Sequence, residues 1–452
     1  MDEQFYESAE VENGVLLSYE FDRENHIVIP EGITKIAADA FEGCYSLDTI
    51  TLPKSLSEIE PGAFNNCSYL ETFIVSEDHP HFSFDGSALF NKDQTVLICI
   101  MPAQTGHYEV PSTVITIASR AFDGCGITSV TIPGNVKEIG ERAFECCELE
   151  SVTIMDGLEI IGPYAFSSCE DLTAVTIPDS VTTIGRGAFS LCYDLSSVVI
   201  SKGITAIGGQ TFSYCRELTS ITIPEGVTAL GYGAFRGCSN LTDVSIPHTV
   251  TSIDESVFEG CESLTSITLP EGITSLNKKL FENCKSLTNV NLPESITVIG
   301  KHAFYECSAL ESLVLPNKVT TIGQSAFAHS DLTSIVIPKS VTSIGGGAFW
   351  RCHNLTELVF PEGATTIGDG AFEACKNLTS VTIPASVTQI EDWEDFDRPE
   401  KPTICAEPGS IAWAWAQEHG FPTEKLTRKA GCCPYCGSKL KGFIFKKCPI
   451  CN

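Results

Sequence analysis

Fourteen phenylalanines set what this chain can fold into. They stand at positions 41, 64, 122, 144, 166, 189, 212, 235, 258, 281, 304, 327, 349 and 372, and apart from one gap of 58 every step is 22 or 23 residues. A fixed period of that length is the signature of a repeat architecture. The unit reads L-x-x-V/I-x-I-P-x-x-V-x-x-I-G-x-x-A-F-x-x-C. In the copy that begins at Leu172, Val175 and Ile177 alternate with Thr176, as in a short strand with one buried face. Pro178 cannot donate to a ladder and ends that strand. Val181 and Ile184 carry a second extended segment, and Gly185 permits a tight bend. Ala188, Phe189 and Cys192 at helical spacing predict one helical or 3₁₀ turn. No single unit of this size buries its own apolar face. Stacked in register each coil covers the next, so the expected fold is a repeat solenoid of short parallel strands with the Phe residues stacked inside it.

The stretch "LTSITIPEGVTALGYGAFRGC" (218 to 238) resembles the BspA-like leucine-rich repeats of bacterial and some protist proteins, and the resemblance spans about residues 13 to 420. Inside the long gap, "HPHFSFDGSALFNKDQTVLICIMP" (79 to 102) is similar to the hairpin-like degenerate unit of that family. The resemblance implies a right-handed leucine-rich-repeat superhelix used for binding, with no catalytic residues to carry over. Many proteins of this kind are exported surface proteins, which raises a cell-surface adhesin, exported by an unrecognised route, as the alternative function.

An open end of such a stack exposes unpaired strand edges and needs a cap. After Ile390 the run "EDWEDFDRPEKP" drops the Gly and the Ala-Phe. Ser410 is the expected N-cap of a short helix, Ile411 to His419, with Gly420 as its stop. Trp393, Trp413 and Trp415 read as core of this cap. The expected organisation is a flexible N-terminus (1–12), the solenoid (13–390, with an irregular unit at about 75–110), the cap (391–422), a linker (423–431) and a small C-terminal domain (432–452).

Seventeen of the 21 cysteines fall into two populations. Thirteen stand three residues after the repeat Phe and form one column as the coils stack. Their Cβ vectors run parallel, which disfavours disulfides, and a free Cys behaves as a small buried hydrophobe. The column is interrupted at Ser330, where "AFAHSDLTS" is one residue short, and a local kink is expected there. The second population, Cys433, Cys436, Cys448 and Cys451, has the two-knuckle spacing of a tetrahedral site, and the expected cofactor is one structural Zn²⁺ in a zinc ribbon. So short a segment has no core of its own, so folding and metal binding are one event.

Asp and Glu number 58 against 28 Lys and Arg, a net charge of −30. This excludes a nucleic-acid-binding body. From Thr423 onward seven Lys or Arg face one Glu, which makes the tail +6 and the remainder −36. The lysines offset the charge of a zinc tetrathiolate; contact with nucleic acid, anionic lipid or the acidic solenoid is the lesser alternative. "MDEQFYESAEVENG" has neither the basic nor the apolar region of a signal peptide. Together with the reduced thiols this gives a cytoplasmic expectation.

No catalytic motif emerges. "GYGAFRG" at 231 imitates a dinucleotide loop but is the repeat's own turn. His79 and His81 beside Asp78 are expected to be exposed loop residues rather than metal ligands. The chain therefore reads as a non-enzymatic scaffold for a protein partner. The strand face carries small hydroxyl residues, such as Thr131, Thr176 and Thr268. Larger side chains gather beside the Cys column: Tyr193, Tyr214, Arg216, Tyr232 and Arg236 in consecutive coils, then Trp350, Arg351 and His353. Tyr, Trp and Arg dominate interface energetics, so these residues are the expected partner surface.

Overall fold

The computed structural model describes residues 2–20, 25–65, 67–391 and 400–426. The four expected zinc ligands and Trp393 lie outside them. The chain divides into two compact units, Met1–Gly226 and Val227–Asn452.

In both units each regular coil contributes two short strands and a turn. The first strand, such as Ala174–Thr176, exposes its outer residues and buries the central one. It ends ahead of Pro178, as its missing donor requires. The second, such as Thr183–Ile184, has two residues. Successive second strands pair parallel and in register. In the second unit they form a six-stranded sheet from Ser275–Leu276 to Gln389–Ile390. Thr hydroxyls at the corner before these strands bond carbonyls one coil earlier, as Thr320 Oγ1 does to the Thr297 carbonyl at 3.2 Å and Thr365 Oγ1 to that of Thr342 at 3.0 Å.

The Phe segment is not helical. Two of its residues per coil adopt left-handed backbone angles, for example Tyr164 (φ 54°) and Ser168 (φ 59°), or His302 (φ 57°) and Glu306 (φ 58°). Such angles stop a helix from propagating. They stand four residues apart, and between them alternate N–H groups point along the stack. Tyr164, Phe166 and Ser168 donate forward to Arg186, Ala188 and Ser190 at 2.8 Å, while Ala165 and Ser167 close i to i+3 turns within their own coil. The expected helical turn is therefore a third inter-coil ladder. The repeat glycine also has a different role from the bend assigned to it. A Cβ on Gly162 would stand 2.7 Å from the Ile139 carbonyl oxygen, and one on Gly323 2.7 Å from the Gly300 carbonyl carbon. It is close approach of neighbouring coils that requires Gly.

The Phe rings stack inside. Their centroids are 4.4 to 5.7 Å apart from Phe122 to Phe212 and 5.4 to 5.9 Å apart from Phe235 to Phe349. Tyr19 occupies the Phe position of a coil that the Phe period omits, 5.7 Å from Phe41. All thirteen column cysteines are buried and outside any disulfide. Their thiols are more than hydrophobes: Cys169, Cys192, Cys284 and Cys307 each donate to the carbonyl of the repeat Phe one coil earlier at 3.1 Å. Burial pushes these four thiols up, Cys192 to about 12.

Ser330 does not kink the stack. Phe327 lies 5.4 Å from Phe304 and 5.5 Å from Phe349, with planes within 6°. Ser330 Oγ donates to the Phe327 carbonyl at 2.7 Å, and the first-strand ladder there is a single bridge, Val314 to Val336.

Both ends differ from expectation. In place of a flexible N-terminus there is a helix, Asp2–Ser8, and a strand, Ala9–Glu12, that pairs antiparallel with Val15–Tyr19. At the other end Thr423–Lys425, placed in a linker by sequence, pairs parallel with Thr403–Ala406. The cap helix, Ile411–Glu418, is N-capped by Ser410, whose Oγ accepts from Trp413 N at 3.2 Å. Gly420 (φ 67°) ends it. Trp415 closes the stack at 6% exposure, whereas Ile411 is 47% exposed.

The irregular unit is an antiparallel hairpin. Phe82–Phe84, Ala88–Asn91 and Val96–Ile100 pair in sequence, and Val96–Ile100 passes the ladder on to Thr116–Ile117. His79, expected on the surface, is fully buried beneath it. Its Nε2 donates to the Pro53 carbonyl at 2.9 Å, and Nδ1 accepts from the N–H groups of His81 and Phe82 at 3.2 and 3.1 Å. Both nitrogens are used by the neutral ring, so His79 is a pin and not a metal ligand. Burial holds its pKa below the ordinary value.

Candidate binding surface

The turn around the repeat Phe carries outward residues that differ from coil to coil. Its left-handed residues accept any side chain that tolerates the strain, and the third ladder fixes where each points. In the second unit this has built a row of rings. His302 stacks on Tyr305 at 5.0 Å, Tyr305 meets His329 edge-on at 5.4 Å, and His329 meets Trp350 at 4.8 Å. The Arg351 guanidinium lies over the Trp350 ring at 4.4 Å, a cation–π contact. His302 Nδ1 is 3.2 Å from Glu282 Oε2.

Trp350 also lines an open depression of about 440 Å³ with Gln324, Ser325, Asp369, Glu373 and Glu391. Glu391 Oε2 accepts from Asp369 N at 3.0 Å. The carboxylates of Asp369 and Glu391 beside an indole favour a cationic group.

Of the residues expected to meet a partner, the structure brings Trp350 and Arg351 together and adds His302, Tyr305 and His329, which the sequence reading passed over. The missing signal was register: Tyr305, His329 and Trp350 stand one or two residues after the repeat Phe of three adjacent coils, and His302 stands two before it. His353 is partly buried, with its Nδ1 lacking a hydrogen-bond partner among the described residues. In the first unit the Arg216 guanidinium covers the Tyr193 ring at 4.3 Å, and Tyr214 sits at φ 61°. In the second unit Tyr232 is 38% exposed, and Arg236 is paired with the buried Glu259 at 2.9 Å. Among the described residues there is no cluster of three or more His, Cys, Asp or Glu arranged to hold a metal ion.

These coils, with their parallel strands, ladder of turns and spine of Leu, Ile and Phe, define a β-solenoid of leucine-rich-repeat type. The chain belongs to the BspA type leucine rich repeat family, whose model matches residues 18–96, 102–218, 205–332 and 274–394. A leucine-rich repeat protein from Bacteroides ovatus shares 27% identity, covering 84% of this chain and 94% of its own, with a TM-score of 0.52. A leucine rich cell surface protein from Faecalibacterium prausnitzii is also 27% identical, covering 71% and 96%, with a TM-score of 0.47. Among curated proteins there is no match.

Proposed function

We propose that this chain is a non-enzymatic scaffold that binds a protein partner on the turn face of its second unit, through a basic side chain seated at the Trp350 depression. The observation that carries the reading is the depression itself: an indole with the carboxylates of Asp369 and Glu391 around about 440 Å³, beside a row of rings. Interface energy concentrates on such aromatic anchors. The test is a pull-down with the full chain as bait, wild type against Trp350→Ala and Asp369→Asn. A protein retained by wild type and lost by both variants supports the reading, and equal recovery defeats it.

The C-terminal cysteines complete the proposal. Cys433, Cys436, Cys448 and Cys451 would hold one Zn²⁺, which supplies cross-links where the segment lacks a core. Support comes from the ligand spacing alone. Metal analysis of the purified chain with and without residues 431–452 should show one equivalent lost on truncation. A cytoplasmic location follows from the same thiol chemistry. Lysis with a thiol-trapping agent should recover the thirteen column cysteines reduced; recovery as disulfides would point to the surface-exposed alternative.

A further inference from the structure

The hairpin unit interrupts the stack, and the coil before it is left without a successor. The sheet that begins at Ala9–Glu12 ends at Glu58–Ile59, and the next begins with the hairpin. In this ladder each second strand turns the N–H and C=O of its central Ile toward the following coil, as Ile36 does toward Glu58 and Glu60. Ile59 turns the same two groups forward, and among the described residues nothing receives them. The side chains record the same vacancy of packing. Ile36, Ile117, Ile139 and Ile161 are fully buried, but Ile59 is only partly so, and Phe64 is 9% exposed where later Phe residues are at 0%.

A cavity of about 430 Å³ lies here, bounded by Ile59, Phe64, Phe82, Ile98 and Cys99, with Glu58, Glu60 and Arg120 among its polar residues. Its size is within the range of binding pockets, about 300–1,000 Å³. Unpaired backbone groups in such a site cost free energy until something strand-like supplies both a donor and an acceptor. Lys35 is 2.8 Å from Glu58 and 2.6 Å from Glu60 and offsets one of the two charges. Arg120 is matched by Asp123 at 2.9 Å. One negative charge is thus left over at the rim.

We propose that the forward edge of Glu58–Ile59 is a docking slot for an extended, basic-flanked peptide of a protein partner, which adds as a parallel strand and places one apolar side chain in the cavity. The bonding is that of β-augmentation, with main-chain hydrogen bonds for affinity and the pocket for specificity. The register follows from the preceding pair of strands. Ile59 N–H donates to the carbonyl of a peptide residue, and Ile59 C=O accepts from the N–H two residues further on. The proposal rests on the scaffold reading but uses a different site.

The probe is acetyl-KVTTIGK-amide, the chain's own second-strand sequence (181–185) between lysines. Its control replaces glycine by sarcosine, which removes the N–H that Ile59 C=O should accept. Hydrogen exchange on the full chain should show fragments over 57–61 exchanging faster than those over 137–141, and slowing when the peptide is added. The sarcosine peptide should bind at least tenfold more weakly. Ile98→Trp should block binding by filling the cavity, and Ile59→Pro should block it by removing the donor; protection over 137–161 reports that either variant is folded. Slow exchange at 57–61 in the free chain, or equal binding of the sarcosine peptide, would overturn the proposal. So would protection that rises with protein concentration alone, since the occupant would then be a second copy. A partner that survives Ile59→Pro but is lost on Trp350→Ala would sink the slot and leave the scaffold reading intact.

Discussion

Two departures from the repeat, at Ser330 and at the hairpin, have opposite consequences. At Ser330 one residue is lost from a corner, and the Phe stack and the turn ladder run on: His329 N still donates to the Trp350 carbonyl at 2.9 Å. At 75–110 a hairpin replaces the coil. It brings its own core, with Phe82, Leu89 and Leu97 buried, yet among the described residues it leaves the forward edge of Ile59 without a strand and moves the neighbours of Phe64. That ring stacks on Phe41 at 5.7 Å on one side but meets Phe73 edge-on at 5.0 Å on the other. A solenoid absorbs a deletion at a corner because each coil bonds its neighbours along three ladders and the loss touches only one. An insertion that changes strand direction alters the edges themselves.

The largest expected effect tests the continuity at Ser330. Phe327→Ala should cost about 3–5 kcal/mol, the usual price of emptying a ring-sized site in a close-packed core. Chemical denaturation measures it, and a cost near 1 kcal/mol would mean that the stack is broken there after all. Phe64→Ala should cost roughly half as much, because the ring at the hairpin is already partly exposed. Equal costs would erase the contrast between the two sites.

A smaller effect belongs to pH. The folded-state pKa of His79 lies below that of the unfolded chain, chiefly through burial, with His81 and Lys92 also opposing a positive charge while the Pro53 carbonyl and Glu31 favour it. The unfolded chain therefore takes up the proton first, so this contribution is complete above a pH of about 6.5 and is lost as pH falls below it. His79→Gln should flatten the pH dependence of stability below about 6.5. A slope unchanged by that substitution would show that the ring does not hold the hairpin in place. Ser330→Cys should be the mildest, within about 0.5 kcal/mol, since the hydroxyl already stands at the column position, bonded to the Phe327 carbonyl of its own coil, and a thiol there can turn to the coil before as its neighbours do.

Much of this was readable before any coordinates. The period of the Phe residues gave the coil, Val175 and Ile184 gave its strands, and Ser410 and Gly420 bounded the cap helix. What escaped were the particular bonds and contacts that a neighbouring coil supplies. His79 looked like a polar loop residue because its three backbone partners are brought to it by the hairpin. The aromatic row in the second unit is scattered through the chain, at 302, 305, 329 and 350, and becomes a row only by stacking.

The sequence by itself determined the repeat, because burial demands an apolar residue at the same place in every coil and that demand is written as a period. Only the tertiary structure decided the turn. No glycine announces left-handed angles at Tyr164 or His302, and their strain is borne because each N–H finds a carbonyl in the next coil. The same holds for Cys, which composition marks as merely apolar but whose thiol meets a carbonyl 25 or 26 residues away in sequence. Those bonds exist only between coils, and a single unit of sequence has no neighbour to show them.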